Sequence, residues 1–171
     1  MAGTDQILEP GIDPRTKKIA VRGVFGRNEG GTRTVSTVRH FDPVVTDEPD
    51  SLGGTNSAPS PLEMVLVSLI GCEGVIIHGV AKAMNFRYAG VDFECSGKID
   101  VRGPKGVRGV RPYFEEVHVR IMLQTDESAE RVEKLRVNVE SRCPVTNLLR
   151  DAQVDLTLEW VTVPSETKAG S

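Results

Sequence analysis

The longest apolar stretch of the chain lies at residues 60–84, SPLEMVLVSLIGCEGVIIHGVAKAM. Met64, Val65, Leu66, Val67, Leu69, Ile70, Val75, Ile76, Ile77 and Val80 leave no wide polar stripe around a helix, which is the pattern of a helix covered by protein on every side. Ser60, Pro61 and Glu63 mark its start. They supply a hydroxyl at the N-cap, a proline at N1 where a missing N–H costs nothing, and a carboxylate at N3 able to close a capping box. A membrane span needs about 20 predominantly apolar residues, and Glu63, Ser68, Glu73 and His78 interrupt this run, so it reads as a soluble core helix.

Ahead of that helix, residues 1–15 carry proline and glycine without periodicity and read as a loosely held arm. Residues 18–25 alternate as a strand, 27–31 read as a turn and 32–41 as a second strand, which together make a hairpin. Asp47-Glu48-Pro49, Gly53-Gly54-Thr55-Asn56 and Ala58-Pro59 form a long irregular connection, of a length that compact domains keep for function or for a partner surface. After Asn85 the period changes to two. Val91, Phe93 and Cys95 share one face with Asp92, Glu94 and Ser96 opposite, and the strand extends past Gly97 to Arg102. Residues 103–112 form a basic, glycine-containing loop. Val117, Val119, Ile121 and Leu123 then alternate with His118, Arg120 and Met122, and the two strands are expected to pair. Asp126 or Ser128 can cap a helix with apolar positions Val132, Leu135 and Val139 that ends near Ser141. Cys143-Pro144-Val145 opens a short helix through Leu149 with Cys143 at the N-cap, residues 154–163 form a last strand, and 164–171 a frayed tail.

This order predicts one α+β domain over residues 16–163, with antiparallel sheet covering the central helix. A helix apolar on all sides needs cover on all sides, and a handful of strands shields one face more easily than both. An obligate homodimer whose sheets wrap the paired helices resolves the difficulty.

Composition narrows the class. A chain of 171 residues with 39% hydrophobic and 26% charged residues is that of a soluble globular domain. A net charge of −3, with no basic cluster interleaved with aromatics, offers no general attraction for nucleic acid or an anionic membrane. The first residues lack the apolar segment of a secretory signal, which predicts a cytoplasmic protein. Under reducing conditions Cys72, Cys95 and Cys143, widely and unequally spaced and without a CxxC pair, make neither a disulfide framework nor a structural zinc site. A cysteine pair in that setting is transient and catalytic.

Cys143 carries the clearer physical signature, because a thiol at a helix N-cap faces unsatisfied N–H groups and the positive end of the dipole, both of which favour thiolate. Arg142 adds a positive neighbour; the plain alternative is that cysteine merely tolerates an N-cap. Cys72 taken alone reads as packing rather than reaction, since free cysteine is among the most buried residue types, and its neighbours shift that reading. Gly71 and Gly74 flank the Cys72-Glu73 pair, each costing about 1 kcal/mol against alanine, which suggests a close approach to the backbone there. Cys95 reads as core. His78 falls on the wrong side of the helix for a Cys-His dyad with Cys72, His40 and His118 lie on strands, and no metal site is predicted.

SPLEMVLVSLIGCEG, followed 71 residues after Cys72 by SRCPVTNLL and preceded by DEPDSLGGTNSAPSPLE, resembles the OsmC and organic hydroperoxide resistance (Ohr) family, in its OsmC-like branch with DEP and LGGT motifs. The likeness runs from about Thr32 to Trp160. It implies an intertwined α+β homodimer with central helices enclosed by sheet from both chains. It implies a cytoplasmic thiol peroxidase acting in oxidative-stress defence, with no metal, haem or flavin. By this resemblance Cys72 is the peroxide-reacting cysteine and Cys143 the resolving one, joined as a disulfide that an external dithiol or lipoyl-type donor reduces. Arg33 matches the arginine that holds the thiolate, with Arg39 and Arg27 behind it, and Glu63 is the nearest counterpart of the carboxylate, Glu73 a second one. In the organic hydroperoxide resistance branch the glutamate directly follows the proline, where Leu62 stands here. Nine residues of helix from Glu63 to Cys72 turn about 900° and rise about 13.5 Å, so on a straight helix the two side chains do not meet. The alternative function is a binding protein that holds a small hydrophobic or acidic ligand in the apolar cavity and basic loop, with no catalysis.

Overall fold

The computed structural model describes Asp13 and residues 15–165. The expected N-terminal arm and C-terminal tail fall largely outside these residues. The chain divides into two compact units, one over Asp13–Val67 and one from Ser68 onward. The longest helix, α1 (Pro61–Met84), starts in the first and continues into the second.

The first unit is built on a three-stranded antiparallel sheet of β1 (Phe25–Gly30), β2 (Arg33–Thr37) and β3 (Val44–Thr46), in that order. The hairpin exists, but it is displaced from its expected place. Residues 18–24 are not in a strand, and the polar run Arg27-Asn28-Glu29, expected as a turn, is strand. The turn falls at Gly30 and Gly31, whose φ of +117° and +57° lie in the region open to glycine. Every residue of β1 is exposed, so no buried face imposes an alternation on it. The apolar positions that suggested a strand, Ile19 and Val21, are 76% and 86% exposed in this chain. The second strand stops at Thr37, short of Phe41, and the chain returns as β3 against it, with Val35 opposite Val45.

The irregular connection after β3 is a clasp around one carboxylate. Asp47, 1% exposed, accepts hydrogen bonds from the Thr32 hydroxyl (2.6 Å), the Thr55 amide and hydroxyl (3.1 and 2.7 Å) and the Ser57 amide and hydroxyl (3.1 and 2.9 Å). These donors hold its pKa far below the ordinary carboxylate value, the Thr32 hydroxyl most of all. The loop closes tightly enough that a Cβ on Gly54 would stand 1.7 Å from the Glu48 carbonyl oxygen. Only glycine fits there. The clasp delivers the chain to Ser60, whose hydroxyl accepts from the Glu63 amide (3.3 Å) while the Glu63 carboxylate accepts from the Ser60 amide (2.7 Å), the expected capping box.

The second unit holds β4 (Gly90–Ile99), β5 (Phe114–Gln124), α2 (Ala129–Glu140), α3 (Pro144–Asp151) and β6 (Asp155–Val163). α1 ends at Asn85, in the left-handed region at φ +48°, where the Phe86 amide returns to the Ala81 carbonyl at 2.8 Å. β4 and β5 pair antiparallel as expected, with Cys95 opposite Val119. β6 joins the other edge of β5 in parallel, with Leu158 opposite Val119, because α2 and α3 form a connection long enough to carry the chain back to the same end of the sheet. The architecture is the expected α+β class, with one parallel pair in the second sheet.

The core of this unit is sharply defined. β5 contributes Val117, Val119, Ile121 and Leu123, all at most 1% exposed, and each buried side chain of this size stabilises the fold by about 1.5–3 kcal/mol. α2 adds Val132, Leu135 and Val139, and its N-cap is Ser128, not Asp126. α1 contributes a single stripe: Leu69, Glu73, Ile77, Val80 and Ala81. Its other faces are only partly covered within this chain, and Val67 and Val75 are 51% and 69% exposed. By length and composition α1 could also cross a bilayer.

Candidate thiol site

Three side chains singled out in the sequence come together in the second unit: Cys72 and Glu73 from α1, and Cys143 from the turn between α2 and α3. The α2 helix ends at Ser141, the Cys143 amide returns to the Val139 carbonyl (3.1 Å), and Pro144 restarts the chain as α3. Asn147 fixes the corner by donating to the Cys143 carbonyl at 2.9 Å. The Cys143 thiol, fully buried, is thereby brought within hydrogen-bonding reach of the half-buried Cys72 thiol. All three cysteines are free thiols.

Cys143 behaves differently from its sequence expectation. It is the N-cap of α3, yet its side chain makes no capping hydrogen bond. Burial pushes the thiol up to about 12, the Cys72 sulfur and the Glu73 charge push the same way, and the hydroxyl and amide of Thr146 pull down without offsetting them. Loss of solvation outweighs the helix dipole here, so Cys143 rests as a neutral thiol.

Glu73 lies in the middle of the buried stripe of α1, with no exposed surface. The Thr146 hydroxyl donates to its Oε1, and the Cys143 thiol is placed to donate to the carboxylate as well. Burial raises the proton affinity of Glu73 more than these donors and Arg150 lower it. Thr146 itself was not anticipated. The signal lay in the spacing: with Cys143 at the N-cap, Thr146 is N3, the position whose side chain shares the open mouth of the first turn.

The close backbone approach expected at Gly71 and Gly74 is absent from this chain. A Cβ on Gly71 would have no described atom within 4 Å, and one on Gly74 would meet only the Phe93 ring, at an ordinary 3.8 Å.

Arg33, Arg39 and Glu63 belong to the first unit, and each has a local partner. Arg33 pairs with Glu29 (3.1 Å) across the hairpin turn, Arg39 sits at φ +53° with its guanidinium 4.6 Å from the Phe41 ring centre, and Glu63 closes the capping box. Cys95, half-buried on β4, has its proton affinity raised by burial. His78 lies 3.5 Å from the Tyr88 hydroxyl and His118 at the same distance from Glu159. β4 ends at Ile99, short of the expected Arg102; just before the basic loop Arg102 pairs with Asp100, and within the loop Arg111 donates to the carbonyls of Ala152 and Gln153. Among the described residues no group of three or more His, Cys, Asp or Glu is placed to hold a metal.

An α+β fold carrying two free thiols side by side, one on a long apolar helix and one at a helix restart, defines a class of two-thiol proteins. A family model described as OsmC-like protein matches residues 54–159, and the chain belongs to the OsmC and organic hydroperoxide resistance family. Solved structures share the fold at low identity. An OsmC-like protein from Mycoplasma pneumoniae is 17% identical over 86% of this chain and 99% of its own, with a TM-score of 0.68. The organic hydroperoxide resistance protein OsmC of Legionella pneumophila is 17% identical over 85% and 99%, with a TM-score of 0.65. The organic hydroperoxide resistance protein OhrB of Bacillus subtilis is 20% identical over 82% and 98%, with a TM-score of 0.57. None of the curated proteins compared matches this chain.

Proposed function

We propose that the protein is a cysteine-based peroxidase that reduces organic hydroperoxides. The observation that carries this reading is the Cys143 thiol held within hydrogen-bonding reach of Cys72, both free. The Cys72 thiolate attacks a peroxide oxygen, the O–O bond breaks, an alcohol leaves, and Cys72 becomes sulfenic acid. Cys143 condenses with it, releasing water and forming the Cys72–Cys143 disulfide, which an external dithiol or lipoyl-type donor reduces. Hydrogen peroxide is a smaller substrate for the same step, and the apolar flanks of α1 favour a hydrocarbon tail. No metal, haem or flavin is required. Arg33 and Glu63, with Arg39 in reserve, are assigned to the thiolate and the peroxide by the resemblance alone.

The working protein is proposed to be a cytoplasmic homodimer. Its support is the partial cover of α1, an apolar helix with only one stripe enclosed by its own chain.

The test is stopped-flow consumption of an alkyl hydroperoxide by the reduced protein. Cys72→Ser is expected to abolish even a single turnover. Cys143→Ser is expected to allow one turnover and then accumulate sulfenic acid. Equal, slow reaction of both variants and the parent would overturn the reading.

A further inference from the structure

The sulfur that must attack Cys72 is fully enclosed and neutral in its resting state. Condensation with a sulfenic acid also needs a proton delivered to the departing oxygen. One buried group touches both requirements. Glu73 has no exposed surface, its Oε1 is held by the Thr146 hydroxyl, and its Oε2 is buried without a hydrogen-bond partner among the described residues. It follows Cys72 directly in the chain, and Cys143 is placed to donate to it. A carboxyl so placed is expensive to keep for packing alone, since an apolar side chain of similar volume would fill the stripe between Leu69 and Ile77 without an orphaned oxygen.

We propose that Glu73 is the proton carrier for disulfide formation, accepting the Cys143 proton as that sulfur attacks Cys72 and returning it to the hydroxide that leaves. The inference rests on the two-cysteine reading above. In the step, the Cys143 S–H bond breaks and its electron pair forms the S–S bond. The Cys72 S–O bond breaks, and hydroxide takes the proton from Glu73 to leave as water. Cys143 is oxidised, the sulfenic sulfur is reduced, and the carboxylate is regenerated. Thr146 is a positioning residue, fixing Oε1 so that Oε2 is the free oxygen.

The ionisable groups around Glu73 are few. Cys72 adjoins it on α1, Cys143 opens α3, Glu140 approaches from the end of α2 and Arg150 from α3. Glu140 and Arg150 are paired at 2.9 Å and act on Glu73 with opposite signs, so they set no strong net field. Beside the next residue, Gly74, β4 presents the Phe93 ring, which brings no charge.

The test separates this step from peroxide chemistry. In a Cys95→Ser background, Cys72 is converted to its mixed disulfide with thionitrobenzoate, and Cys143 attack is followed by release of the coloured thiol. With Glu73 present, release is expected to level off as pH rises. Glu73→Gln is expected to slow release at neutral pH by roughly a hundredfold and to make it climb in proportion to hydroxide. Release from Glu73→Gln at the parental rate with the parental pH profile would overturn the proposal, and so would faster release, which would mark Glu73 as a charge that merely restrains the thiol. If Glu73→Gln does not fold, Thr146→Val decides: loss of its hydrogen bond makes Glu73 more basic, so the levelling should move to higher pH, and an unchanged profile would overturn the proposal. A protein that leaves hydroperoxides untouched yet shows the Glu73 effect refutes the peroxidase reading and keeps this one.

Discussion

At the scale of single residues, Glu73 and Cys143 are the side chains whose ionisation the fold suppresses. Glu73 binds its proton more tightly folded than unfolded, because burial disfavours the carboxylate. An unfolded glutamate loses its proton near about pH 4, and below that value both states are protonated and no penalty arises. Above it the unfolded chain ionises first, so stability is lost as pH rises through the folded value. Glu73→Gln keeps the shape and removes the titration. We expect it to unfold at higher denaturant than the parent at neutral pH and at a similar concentration in acid, which urea melts at the two pH values would show. Part of this was legible in the sequence. Glu73 was visible beside Cys72, but adjacency on a helix says nothing about direction, and only the structure puts it on the buried stripe with Leu69 and Ile77. The thiolate favoured at Cys143 by its place at a helix start is opposed by burial, for a reason that no local pattern carries. A helix N-cap announces a dipole, whereas the solvent that a thiol loses is set by the parts of the fold that close over it, here α1 with Cys72 and Glu73.

Elements with strong local signals were read correctly. Ser60, Pro61 and Glu63 opened α1, Ser128 was among the caps named for α2, and Cys143-Pro144 opened α3, since each relies on chemistry within a turn of chain. The hairpin was displaced because an exposed strand such as β1 needs no apolar alternation, and β3 was missed because three residues of strand exist only by pairing with β2. The parallel partner of β5 is likewise a property of the returning chain and not of its own sequence. For Glu63 the local role makes its own prediction. Ser60→Ala or Glu63→Ala should cost about 0.5–2 kcal/mol of stability through loss of the box, measured by urea unfolding. Glu63→Gln keeps an acceptor oxygen for the Ser60 amide while removing the charge, so it is expected to melt like the parent and, by the role the family resemblance assigns to Glu63, to oxidise Cys72 more slowly. A parental rate would leave Glu63 as the cap of α1 alone.

For the molecule as a whole, the exposed faces of α1 are the feature that a lone chain leaves unresolved. Val67 and Val75 are more than half exposed on a predominantly apolar helix. A symmetric partner could cover them, and a stable interface of this kind buries about 1,200–2,000 Å² in total. Analytical ultracentrifugation is expected to show a dimer at micromolar concentration, and Val75→Asp to shift it to monomer by placing a charge in that contact. A monomeric parent would refute the proposed assembly. Family membership was legible because the cysteine motifs are short and local, while the need for a partner could be inferred only by asking what one chain can cover. In the proposed two-cysteine cycle the enclosure of Cys143 fixes the order of events. An oxidant diffusing in solution would meet the half-buried Cys72 and find the second sulfur shielded and protonated, so that order would be imposed by access. Cys143 has no electrophile to attack until its neighbour has become one. Wear therefore accumulates at a single atom, and the inner sulfur comes through each cycle unspent.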